Sequence, residues 1–199
     1  MIVTPVDTNR RVTALNDLTF KAAYLIEERG WIQDQMMGDE GELCIVSAGH
    51  EASHVIDTPG LSYVLREVLD YLAHAESWND MPGQSDTAVI GYLSTLKVTE
   101  ETLELTFGPG WESVCHLAEF FAKMSREEMV DWSGSQSDLT NYAMLQHLDD
   151  QEKPDRREIR ARGAVCAAAS ERATEFNLNP MGPSVALLTS KVIRPTLRP

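Results

Sequence analysis

Apolar residues recur at every third or fourth position through most of this chain, and that spacing constrains the fold more than any other feature. Similar apolar stripes run through 44–56, 61–76, 111–124 and about 155–176. Between positions 14 and 29 the apolar stripe consists of Leu15, Leu18, Ala22, Leu25 and Ile26. Gly30 follows it and predicts the end of the helix. The pattern predicts a mainly α-helical protein with at most a few short strands, one of them at 103–107 (LELTF).

Polar and proline-containing signals predict where three helices begin. Thr58-Pro59 precedes the stripe at 61–76, and Ser85 precedes a helix that should run to position 96. Ser125 and Glu128 have the spacing of a capping box, in which each side chain bonds to the backbone of the other residue. These signals place the starts of helices after turns and loops.

A boundary near position 98 would divide the chain into two helical parts, 1–98 and 99–199, which we expect to pack against each other. Within the second part, the sequence predicts a helix at 139–148 and a basic, proline-containing tail. The segment 184–193 of that tail fits an edge strand or an extended docking arm.

The net charge of −14 is unevenly distributed along the chain. Residues 1–152 hold 8 Lys/Arg against 27 Asp/Glu, whereas residues 153–199 hold 9 against 4. An acidic body repels nucleic acid and favours protein partners with a basic surface. Carboxylates spaced like phosphates would alternatively make the protein a DNA-mimic inhibitor. No stretch approaches the ~20 apolar residues of a membrane span, and the start lacks the features of a signal peptide. We therefore expect a cytoplasmic or virion-associated protein.

The segment at 49–56, GHEASHVI, contains the strongest chemical motif in the chain. His50 and His54 are four positions apart, so on a helix their imidazoles lie on one face and both can bind a single zinc ion. Glu51 between them could act as general base on a zinc-bound water. The motif therefore makes a zinc-dependent hydrolase one interpretation of the chain.

Two features of the sequence favour a second interpretation, in which these histidines are simply exposed. The predicted buried stripe of this helix lies on the opposite side and consists of Ile45, Ala48, Ala52, Val55 and Ile56. A catalytic zinc also needs a third protein ligand. Glu67, His74 and Glu76 are candidates for that ligand, but no ligand motif surrounds them. With exposed histidines, the chain would bind no metal and would need no cofactor.

A second set of residues carries a resemblance over positions 18–96. It comprises a W-x-Q element, a cysteine that opens a helix, and a W-N-D-x-P-G element: Trp31, Gln33, Cys44, Trp78, Asn79 and Asp80. This combination resembles a family of uncharacterised domains found in actinobacteria and their phages. The resemblance implies no activity and does not include the histidine motif. We expect the W-N-D element to stabilise a turn between helices, although Asp80 with Glu76 could bind a cation or a basic side chain.

No phosphate-binding glycine loop and no nucleophile elbow is present. The three cysteines form no C-x-x-C pair, so a disulfide framework is not predicted. From charge, the missing motifs and the resemblance, the sequence favours a non-enzymatic accessory protein that binds a basic protein partner. A phage-encoded protein or an actinobacterial one would fit. The zinc hydrolase and the DNA mimic are the alternatives.

Overall fold

The computed structural model describes residues 5–134 and 156–178, and within these ranges the chain forms nine helices and no strand. They are α1 (Pro5–Arg29), α2 (Ile45–Val55), α3 (Leu61–Ala73), α4 (Ala75–Asn79), α5 (Asp86–Thr95), α6 (Glu100–Phe107), α7 (Trp111–Ala122), α8 (Arg126–Gly134) and α9 (Arg156–Glu175). The prediction of a mainly α-helical protein is confirmed. None of these helices is long and apolar enough to cross a membrane.

The prediction of a strand at 103–107 is wrong, because this segment lies inside α6. The Thr99 side chain accepts a hydrogen bond from the Thr102 backbone N–H and caps the helix, while Glu100 and Glu101 occupy its first turn. Acidic side chains are favourable at a helix N-terminus, where the backbone N–H groups point outward. These local signals outweigh the strand-like composition of LELTF.

The other predicted helix starts are partly confirmed. The Ser85 side chain accepts from the Ala88 backbone N–H, as a helix cap does. Ser125 and Glu128 form the reciprocal bonds of a capping box. The start at Thr58-Pro59 is wrong, because Gly60 precedes the first residue of α3. The helix predicted at 139–148 and the arm at 184–193 lie outside the described residues.

Gly60 occupies the N-cap position of α3 because its backbone requires a residue without a side chain. Its φ is +92°, and an added Cβ would lie 2.6 Å from the carbonyl carbon of Ala118 in α7. Positive φ is accessible to glycine at little cost. The start of α3 therefore lies directly against the backbone of α7.

A single buried apolar cluster joins residues from both predicted parts of the chain. Helix α1 packs against α2 and α5, and α9 packs mainly against α7 and α3. The buried side of α9 consists mostly of small residues, Ala161, Ala164, Val165, Ala168, Ala169 and Ala173. Small side chains let neighbouring helices approach closely, as the alanine-rich sequence predicts. Because α9 packs through this side, its position determines which of its exposed carboxylates contact side chains of other helices.

Candidate metal centre

Helix α2 is anchored at its first turn and buried along one side. The Cys44 sulfur accepts from the Ser47 backbone N–H at 3.4 Å, and Ile45, Ala48 and Ala52 are fully buried. The predicted buried stripe is wrong at its far end, because Val55 is 58% exposed. The helix ends at Val55, so this residue has left the packed region.

His50 does not lie on a free face of α2, contrary to the prediction from the stripe. Its side chain is only 32% exposed, while His54 is the more exposed of the two. The Glu171 side chain of α9 contacts His50 on this side, and the position of α9 could not be read from the apolar pattern of α2. His50 therefore lies in the contact between α2 and α9.

The two imidazoles lie close together, with their ring planes nearly perpendicular. Nε2 of His50 and Nε2 of His54 are 3.1 Å apart, and the ring centroids are 4.7 Å apart. This proximity follows from their spacing of four residues on α2. In both rings the nitrogen that lies in this contact is Nε2.

Glu171 of α9 completes the cluster. Its Oε1 lies 3.1 Å from Nε2 of His50. One ligand atom from each of Glu171, His50 and His54 falls within 4.8 Å of the other two, and among residues 5–134 and 156–178 this is the only such group that could hold a metal ion. The structure thus brings a carboxylate from the far end of the chain to the two histidines.

Without an ion, the cluster has the electrostatics of a hydrogen-bonded acid–base pair. The hydrogen bond to Glu171 raises the pKa of His50 above its usual value, and burial acts in the opposite direction. The negative charges of Glu171, Glu51 and Glu175 raise this pKa further. The carboxylates around His50 therefore favour its protonated form in the absence of an ion.

A small cavity of about 20 Å³ lies beside the cluster. Its walls come from α2, from the start of α3, from the end of α7 and from α9, and include Gly60, Tyr63, Ala168, Arg172 and Glu175. A volume of about 10–15 Å³ on this measure is enough for one water molecule. The cavity can therefore hold a single small ligand next to the histidines.

Glu51, the sequence candidate for the general base, does not line this cavity. Its Oε2 lies 3.3 Å from a guanidinium nitrogen of Arg29 in α1. Arg29 also donates to the carbonyl oxygen of Gly41. In this structure Glu51 links α2 to α1, on the side away from the cavity.

The three sequence candidates for a third ligand lie elsewhere. Glu76 in α4 forms an ion pair with Arg66, and the side chain of His74 is 81% exposed at the junction of α3 and α4. Glu67 in α3 faces α9, where an added Cβ on Gly163 would lie 2.8 Å from its Oε1. Burial raises the pKa of Glu67 to about 7. None of the three joins His50 and His54.

The tryptophan and W-N-D residues form a separate hydrogen-bonded network, centred on the buried Asn79. Its Oδ1 accepts from Nε1 of Trp31 at 2.8 Å and from the Ile45 backbone N–H at 3.2 Å. Its Nδ2 donates to the carbonyl oxygen of Ile32 and to Oδ1 of Asp80. Asn79 thus joins α4, the 30–44 loop and the start of α2.

Three more residues of the resemblance complete this network. Gln33 donates to the carbonyl oxygens of Asn79 and Met81, and Asp80 accepts from the Asp34 backbone N–H. Trp78 packs against Tyr92 of α5, with ring centroids 4.9 Å apart. The contacts differ from the turn we expected, because Asn79 and Asp80 bond to distant segments and hold α2 in place.

A cleft of about 170 Å³ lies next to this network and includes Cys44, Glu76 and Asp80 in its walls. Two of its carboxylates are already engaged, Glu76 by Arg66 and Asp80 by the Asp34 backbone. The sequence prediction that Asp80 and Glu76 bind a cation stays a prediction.

The fold and the cluster together define a helical protein with a candidate metal centre of two histidines and one carboxylate. Residues 10–97 match the model of a family of unknown function, DUF6197. This range includes both histidines and Asn79 and ends before Glu171. No curated protein and no solved structure matches the chain significantly. A family of unknown function in the first part of the chain agrees with the resemblance, whereas a phage or actinobacterial origin stays a prediction.

Proposed function

We propose that the chain is a metal-dependent hydrolase in which His50, His54 and Glu171 bind zinc. The observation that carries this proposal is the approach of Glu171 to two histidines from a different helix. Zinc bonds of about 2.0–2.2 Å at tetrahedral angles place neighbouring ligand atoms roughly 3.3 Å apart. The two separations from His50, 3.1 Å each, are close to this value, and the ligand atoms of His54 and Glu171 lie within 4.8 Å of each other.

Hydrolysis is the chemistry that this ligand set supports best. Catalytic zinc sites use three protein ligands, two histidines and a glutamate among the known sets, and bind water at the fourth position. Zinc lowers the pKa of that water to about 7, which supplies hydroxide at neutral pH. The cavity beside the cluster has room for such a water molecule. For these reasons we favour the hydrolase over the non-enzymatic interpretation of the sequence.

Isothermal titration of metal-stripped protein with zinc tests this proposal. We expect one zinc per chain in the wild type, and binding weakened at least tenfold in each of His50→Ala, His54→Ala and Glu171→Gln. His74→Ala is the matched control, because His74 is exposed and lies outside the cluster. Wild-type protein that binds no zinc, or binds it equally after Glu171→Gln, would refute the site.

A second candidate function is protein binding, and the exposed face of α1 favours it. Phe20 is 68% exposed and Tyr24 47% exposed, one helical turn apart. Asp17, Glu27 and Glu28 are exposed on the same face. Aromatic side chains among carboxylates suit a partner that presents apolar groups surrounded by Lys and Arg.

Affinity capture with a matched variant tests this second function. A partner that binds this face should be retained by the wild type, released by salt, and lost with Phe20→Ser/Tyr24→Ser. Identical capture by both proteins would contradict a role for this face. Steep salt dependence that survives the double substitution would instead support the DNA-mimic alternative.

A further inference from the structure

We propose that Glu175 accepts the proton of a water molecule bound at the His50–His54–Glu171 centre. The inference rests on the proposed function. It departs from the H-E-x-x-H pattern, in which the glutamate after the first histidine is the base.

The position of Glu175 on α9 is the first argument. Glu171 and Glu175 are four residues apart and therefore lie on the same side of the helix. Glu175 lines the cavity beside the cluster, yet it is not one of the residues whose ligand atoms come together. A carboxylate that lies beside the metal site without binding the ion is well placed to accept a proton from the bound water.

Arg172 holds this carboxylate in place. A guanidinium nitrogen of Arg172 donates to Oε2 of Glu175, and its Nε donates to the carbonyl oxygen of Met124 at 2.9 Å. A carboxylate held through one oxygen retains acceptor capacity on the other. Since the Glu175 side chain is 44% exposed, water reaches it.

Glu51 is placed differently, although it has the position of the base in the sequence motif. Its ion pair with Arg29 directs it toward α1, and the cavity walls come from α2, α3, α7 and α9. In this structure Glu51 contributes negative charge near His50 and is not among the residues that line the cavity.

His50, His54 and Glu171 would hold the zinc, which would supply a water molecule for hydrolysis of a carbonyl substrate such as an ester or an amide. The oxygen of that water would form a bond to the carbonyl carbon, one of its protons would pass to Glu175, and the carbonyl π electrons would move to the carbonyl oxygen. When the carbonyl re-formed, the bond to the leaving group would break, and the leaving group would take that proton from Glu175. One water is consumed, and an acid and an alcohol or amine are released.

Cobalt(II) loaded in place of zinc provides the test, because its visible spectrum follows the ionisation of the bound water. The proteins compared are the wild type, Glu175→Gln and Glu51→Gln, each first checked for one cobalt per chain. In Glu175→Gln we expect the alkaline spectral transition to move down by about one pH unit. The carboxylate accepts a hydrogen bond from the water and repels the hydroxide, so its loss favours the hydroxide. In Glu51→Gln the transition should move by less than half as much.

The outcomes separate this inference from the proposed function. An unchanged transition in Glu175→Gln, or an equal or larger change in Glu51→Gln, would overturn the role of Glu175 and leave the metal centre intact. Wild-type protein that takes up no stoichiometric cobalt would overturn both. Loss of cobalt binding in Glu175→Gln alone would make Glu175 a ligand instead of a proton acceptor, and would also overturn the inference.

Discussion

At the scale of single residues, the cluster of His50, His54 and Glu171 combines a contact within one helix with a contact between two helices. His50 and His54 meet because of helical geometry alone, which the sequence contains. Glu171 meets them because α9 packs across the molecule on its alanine side. Its local sequence, SERATE, has no feature that separates a metal ligand from a solvated glutamate. When tertiary packing brings in the third ligand, the spacing of residues along the sequence does not predict it.

Asn79 shows how much one buried side chain contributes to holding α2. Asn79→Ala removes the acceptor of Trp31 Nε1 and of the Ile45 backbone N–H. Buried donors left without partners cost about 1–3 kcal/mol each, so we expect roughly 2–4 kcal/mol of lost unfolding free energy. Urea denaturation measures it. Gln33→Ala is the control and should cost less than about 1 kcal/mol, because Gln33 is only partly buried. Equal losses would show that Asn79 has no central role.

At the scale of the helices, predictions were confirmed where the sequence signal lay within the helix concerned. They were wrong where the structure depended on a contact with another helix. The caps at Ser85 and Ser125 were confirmed because each lies within one turn of the helix it starts. The predicted start of α3 was wrong because Gly60 precedes this helix. Only a residue without a side chain fits there against the backbone of Ala118 in α7. The prediction that His50 is exposed on α2 was wrong in part because the Glu171 side chain of α9 contacts it. Interhelical contacts explain these errors.

The contact between α3 and α7 supplies a prediction with an internal control. Gly60→Ala would force a side chain into positive φ and into the Ala118 backbone, so we expect a loss of roughly 2–4 kcal/mol of unfolding free energy. Gly91→Ala in α5 has no atom within 4 Å of the new Cβ and should gain about 0.5–1 kcal/mol. Thermal or urea denaturation measures both. Tolerance of Gly60→Ala would contradict the close packing of α3 on α7.

The buried face between α3 and α9 makes stability depend on pH. Burial raises the pKa of Glu67 from 4.5 in the unfolded chain to about 7, so the folded protein keeps the proton that the unfolded chain releases. The resulting stability is fully present below pH 4.5 and is lost as the pH rises through about 7. Glu67→Gln should therefore match the wild type at pH 4.5 and exceed it at pH 8 by roughly 1–2 kcal/mol, allowing for solvent screening.

Urea denaturation at the two pH values tests this expectation. Glu28→Gln is the control, because it removes the same charge from an exposed position on α1. A stability difference that is the same at both pH values would show that Glu67 ionises normally in the folded protein.

At the scale of the whole molecule, the proposed ion would connect the two predicted parts of the chain. His50 and His54 lie in the range matched by the family model, and Glu171 lies beyond it. The charge imbalance was visible in the sequence and the two-part division was predicted from it, but this connection was not. A ligand that binds only the folded chain stabilises it by mass action.

Zinc should therefore raise the melting temperature of the metal-stripped protein. At a free concentration of about 100 times the dissociation constant, the gain is roughly 2.7 kcal/mol, or about 5–10 °C for a chain of this size. Glu171→Gln, with its affinity lowered at least tenfold, should gain about 1.4 kcal/mol or less at that concentration, so its melting temperature should rise by at most about half as much as that of the wild type. A shift that is equal in the wild type and the variant would place the ion elsewhere.

The most direct test of the metal centre is anomalous diffraction at the zinc absorption edge, from crystals grown with one equivalent of zinc. The account predicts one strong peak per chain, about 2.0–2.2 Å from Nε2 of His50, Nε2 of His54 and a carboxylate oxygen of Glu171. Crystals with no anomalous peak at these three atoms, or with the ion bound by other residues, would contradict it.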